Sequence, residues 1–325
     1  MDNLHEVLQK ADAGDAEAQW KAAYYIVWEN IKEDIEPDWL ERAIRYFKLA
    51  AEQGYTDAML DLAAMYNIGR GVTHDMAQAL YWWKQAAGVL CGRAFTSLGI
   101  YDGREEDGTY TRTSYGYFLK GALLNEPESI SELGVMYING NYVEQDQRFA
   151  FFLYKKCYEL IKGDNRYEGL GEVCLRLGMC YNDGTGIEQN IIIAMRYFME
   201  AIQAYEYQLD IGNPSNFFMT GYNRAKFLLK RINDGKALVE TTPVETEVHS
   251  VGDLLKSGIG YHNILEYEKA FKRFAKCALY ETTISCGALI YLSRMYREGI
   301  YVDIDEKFAD YLEIKYKIIN GVLSE

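Results

Sequence analysis

The stretch from Ala58 to Ala87 sets the pattern of this chain. Apolar and small residues fall at Ala58, Leu62, Met65 and Tyr66 in its first half. They return at Ala79, Trp82, Trp83, Ala86 and Ala87 in its second, and each set lies on one helical face. Gly69 and Gly71 interrupt the period between them. This spacing predicts a helical hairpin. Neither helix can bury its stripe alone, so recurrence of the pattern predicts a stack of such hairpins.

The pattern does recur. A first unit begins near Asp15, an N-cap candidate, with Ala16, Ala18, Trp20, Ala22, Ala23 and Tyr24. After a connection holding Pro37, it is completed by Ala43, Tyr46, Phe47, Ala50 and Ala51. A third unit starts near Gly92, departs through a charged loop at 102–113, and resumes at Tyr117, Phe118, Gly121 and Ala122. The fourth reads Leu133, Gly134, Met136, Tyr137, Gly140, Val143, Asp146, Ala150 and Tyr154. The fifth reads Leu177, Gly178, Tyr181, Gly184, Gly186, Ile187, Asn190, Ala194, Tyr197, Phe198 and Ala201. Register is then lost. Residues 213–236 read as one longer amphipathic helix and 237–248 as a loop and candidate hinge. A sixth unit uses Val251, Gly252, Leu255, Gly258, Gly260, Ala270, Phe274, Cys277 and Ala278. A seventh uses Ala288, Leu292, Met295, Tyr296, Gly299, Val302, Asp305, Ala309 and Leu312, and is expected to cap the array.

Each position has a physical reason. The glycine after each first helix supplies the left-handed residue that ends it, and Asp75, Asp146 and Asn190 stand where a side chain can accept from free N–H groups of the next helix. Small residues such as Ala51, Ala87, Gly134 and Gly178 allow close helix approach, which the tyrosines fill.

In this order (leucine-glycine, tyrosine, glycine-x-glycine-valine, aspartate, then alanine, aromatic and double alanine) the residues resemble the Sel-one-like repeat family, relatives of the tetratricopeptide repeats. The resemblance is strongest over 56–88 and 170–205. It implies an all-α fold, a right-handed α-α superhelix of about seven hairpins. It also implies an adaptor that holds other proteins, with no catalytic residues to carry over. The expected division is repeats one to five over 1–205, an irregular insertion with an extra helix and loop over 206–243, and repeats six and seven with a C-terminal cap over 244–325. The departures are the 102–113 loop, the 206–243 insertion, and tyrosines in place of glycine at Tyr142 and Tyr301.

Composition narrows the function classes. The formal charge of −14 argues against a phosphate-backbone binder and toward a partner with a basic surface. No stretch approaches a membrane span, and Met1 to Lys10 lacks the layout of a secretory signal, so a cytoplasmic protein is expected. The six cysteines stand where other copies carry small residues, as buried thiols do in a reducing compartment.

Candidate chemistry reads as structure. The two glycine-x-glycine sets follow no strand, so they are turn glycines rather than a phosphate cradle. His5, His74, His249 and His262 are not at metal-ligand spacing, and Cys174 and Cys180 fit neither a zinc ribbon nor a redox pair. Glu105 and Glu106 read as a solvated run. At least one of Trp82 and Trp83 is expected in the core, while Trp20, Trp28 and Trp39 either cap the array, the favoured reading, or form part of a binding surface. No catalytic, metal or cofactor site is expected.

The expectation is a non-catalytic scaffold binding a partner protein on the concave wall of the first helices. The candidate residues lie between the core positions: Leu60, Asp61 and Asn67, then Glu132 and Val135, Arg176 and Met179, and Tyr291 and Arg294. A narrower form is a bacterial immunity protein whose acidic surface covers a basic effector. The competing class is an enzyme, or an enzyme-associated regulator, with a pocket at the 206–243 insertion.

Overall fold

The structure, a computed structural model, describes residues 4–29, 37–105, 107–164, 167–211, 216–234 and 250–321. Among these residues the chain is all-α, with sixteen α-helices and one isolated antiparallel bridge between Arg104 and Tyr110. It divides into two compact units, Met1–Gly103 and Arg104–Glu325.

The first unit holds α1 (Leu4–Asp12), α2 (Ala16–Tyr24), a π-helical turn (Tyr25–Glu29), α3 (Pro37–Glu52), α4 (Thr56–Ile68), α5 (Met76–Ala87) and α6 (Gly92–Tyr101). Consecutive helices pack as successive hairpins. Helix α1 precedes the first repeat and has no counterpart in the repeat pattern. It is held by Ala11 in the core and by the Gln19 amide, which donates to the Ala11 carbonyl. The core itself is the small-residue stripe: Ala22, Ala23, Ala43, Phe47, Ala50, Ala58, Leu62, Met65, Ala86 and Ala94 are fully buried.

The second unit holds α7 (Arg112–Leu123), α8 (Pro127–Asn139), α9 (Gln147–Ile161), α10 (Leu170–Asp183), α11 (Ile191–Asp210) and α12 (Asn216–Asn233). After residues 235–249 come α13 (Val251–Asn263), α14 (Tyr267–Ala278), α15 (Cys286–Glu298) and α16 (Glu306–Ile319). Helix α12 is the extra helix that the lost register predicts. The loop and hinge expected at 237–248 lie outside the described residues. In α13 the buried leucine is Leu254, with Leu255 only half-buried, a one-position correction to the core stripe.

The helix ends are fixed as their residues dictate. Carboxylate or amide oxygens of Asp15, Asp75, Asp146, Asn190 and Asp305 accept from the backbone N–H three residues on. Gly69, Gly140, Gly184 and Gly299 take the left-handed conformation that ends α4, α8, α10 and α15. Two residues later the chain again needs positive φ. Gly71 and Gly186 supply it, but Tyr142 (φ 62°) and Tyr301 (φ 65°) hold it with a bulky side chain.

Glycines also set helix separation. A Cβ built on Gly134 would lie 2.4 Å from the Tyr154 ring, one on Gly178 2.5 Å from the Phe198 ring, and one on Gly258 2.6 Å from the Phe274 ring. Each aromatic of a second helix therefore lies over the backbone of its first helix.

One contact departs from a simple array, in which each repeat touches only its neighbours. The C-terminal hairpin does not merely cap the stack, because Lys315 and Tyr311 of α16 both donate to the Leu123 carbonyl at the end of α7.

The close approach yields a test. At Gly186 a Cβ would lie 2.0 Å from the Gln147 carbonyl oxygen, in a backbone conformation of φ 73°. Gly186→Ala is expected to destabilise the chain by about 2–4 kcal/mol, adding overpacking to left-handed strain. Denaturant unfolding of the variant against the wild type measures this.

Candidate functional site

In the first unit, Leu60, Asp61 and Asn67 all lie half-buried on α4. The Asp61 carboxylate accepts the Trp20 indole N–H at 2.7 Å, which ties α4 to α2. Burial pushes the Asp61 carboxyl up to about 6, against the lowering effect of that hydrogen bond, and nearby Asp57 adds to the rise. Trp20 packs on Tyr24 and Tyr55 as well, so it serves the wall between α2 and α4 rather than a terminal cap. Trp28 is half-buried with the Arg70 guanidinium 4.7 Å from its ring, and Trp39 is exposed. Trp83 is buried and stacks on Tyr101, while Trp82 is partly buried against the core, as its repeat position requires.

In the second unit, Glu132 and Arg176 come together within one polar network. Glu132 on α8 accepts from Arg104 at 2.6 Å and from the Tyr110 hydroxyl at 2.7 Å. Arg104 also lies 4.3 Å from the centroid of the Tyr110 ring. Arg176 on α10 pairs with Glu172 at 2.8 Å, and Glu172 accepts from the Tyr205 hydroxyl. The Arg176 guanidinium stands over the Tyr154 ring and shares the field of Glu132. Val135 and Met179 are half-buried beside them in sequence on the same helices. Tyr291 and Arg294 belong to a different neighbourhood. Tyr291 stacks on Phe274 at 4.5 Å and faces His262, and Arg294 is exposed.

Sequence reasoning missed the most strongly raised carboxyl. Glu128, in the first turn of α8, is exposed, and its carboxyl is nevertheless pushed up to about 7. Desolvation leads, and Glu132, Glu126 and Glu168 reinforce it. The charged 102–113 loop was legible as a departure, but not its purpose. Its ends pair at Arg104 and Tyr110 and lay both side chains on Glu132, and Thr111 and Ser114 then form a capping box that starts α7. Glu105 is exposed, and Glu106 lies outside the described residues.

A cleft of about 630 Å³ lies between α1, α2 and α3, away from the insertion where a competing pocket was expected. It is lined by residues that include Asp12, Gln19, Arg45, Tyr46 and Gln53. There the Tyr46 hydroxyl donates to Asp12 at 2.6 Å, Arg42 pairs with Asp12 at 2.7 Å, and Gln53 donates to Gln19. These groups are spent on one another as struts between helices.

Among the described residues no group of three or more His, Cys, Asp or Glu side chains could hold a metal ion, and no helix is long and apolar enough to cross a membrane. Five cysteines are buried and Cys91 is half-buried, all as free thiols. Burial pushes Cys157, Cys180 and Cys277 up to about 12, which makes them inert at neutral pH.

Fold and walls together define an all-α repeat protein of successive helical hairpins. Residues 16–55, 56–87, 127–160 and 171–204 match the Sel1 repeat, and the chain belongs to the Sel1 repeat family. Its fold is similar to that of a Sel1 repeat protein from Oxalobacter formigenes, with 21% identity, a TM-score of 0.52, and coverage of 77% of this chain and 100% of that one. A further similar structure is the immunity protein Pa5087 from Pseudomonas aeruginosa, with 20% identity, a TM-score of 0.43, and coverage of 72% and 88%. In sequence, 101 residues are 34% identical to the ERAD-associated E3 ubiquitin-protein ligase component HRD3B of Arabidopsis thaliana. They make up 31% of this chain, which spans 16% of that protein's length.

The Asp61 shift has a consequence for stability. Its folded pKa lies above the ordinary carboxylate value, so the folded state holds a proton more tightly than the unfolded state between about pH 4 and 6. Stability contributed by the neutral form is lost as pH rises through that window. Asp61→Asn keeps an oxygen for the Trp20 N–H and removes the loss. The variant is expected to be more stable than wild type by on the order of 1 kcal/mol at pH 8 and equal to it at pH 4, measured by chemical denaturation at both pH values.

Proposed function

We propose that this chain is a non-catalytic scaffold that binds a partner protein through cationic side chains of that partner, which meet the carboxylates of its first-helix walls. The observation that carries this reading is the run of carboxylates at the start of α8, where Glu126, Glu128 and Glu132 stand close enough that crowding adds to the rise of the Glu128 carboxyl, with half-buried Asp61 on α4 in the other unit. Carboxylates that are crowded and short of water gain more from an incoming ammonium or guanidinium than solvated ones do. Arg104 pairs with Glu132 and Arg176 with Glu172, which neutralises part of the second-unit wall. On this reading Leu60, Val135 and Met179 supply apolar contact around the charges, while Tyr291 and Arg294 extend the surface on α15.

The net charge of −14 supports a basic partner and gives faster association at low salt. A bacterial immunity role, in which such a wall covers a basic effector, is the narrower form of the same proposal. A reducing, cytoplasmic location fits the buried free thiols.

The test is capture of the partner from the native host on immobilised chain, followed by affinity measurement against pH and salt. Binding is expected to strengthen at least about tenfold from pH 5.5 to 7.5, as the two carboxyls ionise, and to weaken with added salt. Glu128→Gln should flatten the upper part of the pH profile. A partner retained equally at both pH values and in high salt would overturn the proposal.

A further inference from the structure

The second helices of the second unit repeat one residue choice. Lys120 on α7, Lys156 on α9 and Lys276 on α14 each directly precede the small residue of the repeat, Gly121, Cys157 and Cys277. Lys315 takes the matching place on α16. At that position α5 carries Gln85 and α11 carries Glu200. The four lysines are 11–16% exposed and all reach across between α7–α9 and α14–α16.

They reach across reciprocally. Lys120 of α7 pairs with Asp305, the N-cap of α16, at 2.6 Å, and Lys276 of α14 pairs with Asp146, the N-cap of α9. Lys120 lies over the Tyr296 and Phe308 rings, and Lys276 over the corresponding Tyr137 and Phe149 rings. Lys156 donates to the Leu279 carbonyl at the end of α14, and Lys315 to the Leu123 carbonyl at the end of α7. Both of these lysines also pair with Glu281. At the centre, like meets like. The Tyr142 and Tyr301 hydroxyls are 2.6 Å apart, and Tyr115 packs edge-on to Phe271. Each residue finding its own counterpart is the mark of a two-fold pairing, here within one chain. It also gives the two strained tyrosines a shared use, since a glycine at either place would leave the centre empty.

We propose that α14–α16 form a strap that closes on α7–α9 through these four lysines, so that repeats distant in sequence open and close as one cooperative unit. Nearest-neighbour coupling along a repeat array would not link them. The ion pairs contribute chiefly by selecting the register. A largely buried lysine is tolerated only where its carboxylate or carbonyl is in place, so any shifted docking leaves charges stranded. The aromatic contacts supply adhesion, with Phe152 and Tyr280 at 4.5 Å and Phe149 and Tyr280 at 5.3 Å.

Amide hydrogen exchange of the full chain, read by peptide mass spectrometry, tests this. Lys276→Met leaves Asp146 able to cap α9, and it is expected to speed exchange at least about tenfold in both α7–α9 and α14–α16, while α10 and α11 keep their rates. Lys276→Arg, which keeps the charge, should preserve wild-type protection. Tyr301→Phe removes the central hydroxyl pair, together with the Tyr301–Glu268 hydrogen bond inside the strap, and should give a smaller rise with the same distribution, and it serves if the methionine variant does not fold. A rise confined to α13 and α14, or spread evenly over the second unit, would overturn the proposal.

Discussion

In three hairpins of the second unit an aromatic ring of the second helix lies directly over a glycine of the first, and the walls of that unit depend on the closeness. Tyr154 over Gly134, Phe198 over Gly178 and Phe274 over Gly258 leave no room for a Cβ. Ring area is buried against backbone, where dispersion contacts are dense. The same approach fixes the rotation of each helix about its axis. Positions between the core residues of α8 and α10 are thereby held half-buried, where Glu132 and Arg176 share one polar network.

What the repeats share was legible in the sequence because it is local. N-cap carboxylates, left-handed glycines and small-residue stripes each act within one hairpin, so their spacing along the chain is their spacing in the structure. What individualises the protein was not legible, because it joins residues far apart. The 102–113 loop could be seen to break the pattern, yet only the folded chain places Arg104 and Tyr110 on Glu132. Tyr142 and Tyr301 read as lost glycines until their hydroxyls are seen to meet. The four lysines share a repeat position and could have been tabulated, but their partners are N-caps and carbonyls more than a hundred residues away.

Charge is distributed with the same division of labour. Largely buried lysines of the second unit are each matched to an acceptor across the strap and add little to the outward field. On the first-helix walls of the second unit Arg104 pairs with Glu132 and Arg176 with Glu172. The net charge of −14 is the physical basis for proposing a basic protein partner for those walls.

The central claim is that these walls hold carboxyl groups whose surroundings raise their pKa values. Titration of the side-chain carboxyl carbons of Glu128 and Asp61 by carbon-13 NMR measures it most directly. The account predicts midpoints of about 7 for Glu128 and about 6 for Asp61. Midpoints near the ordinary carboxylate value of about 4 for both residues would contradict it.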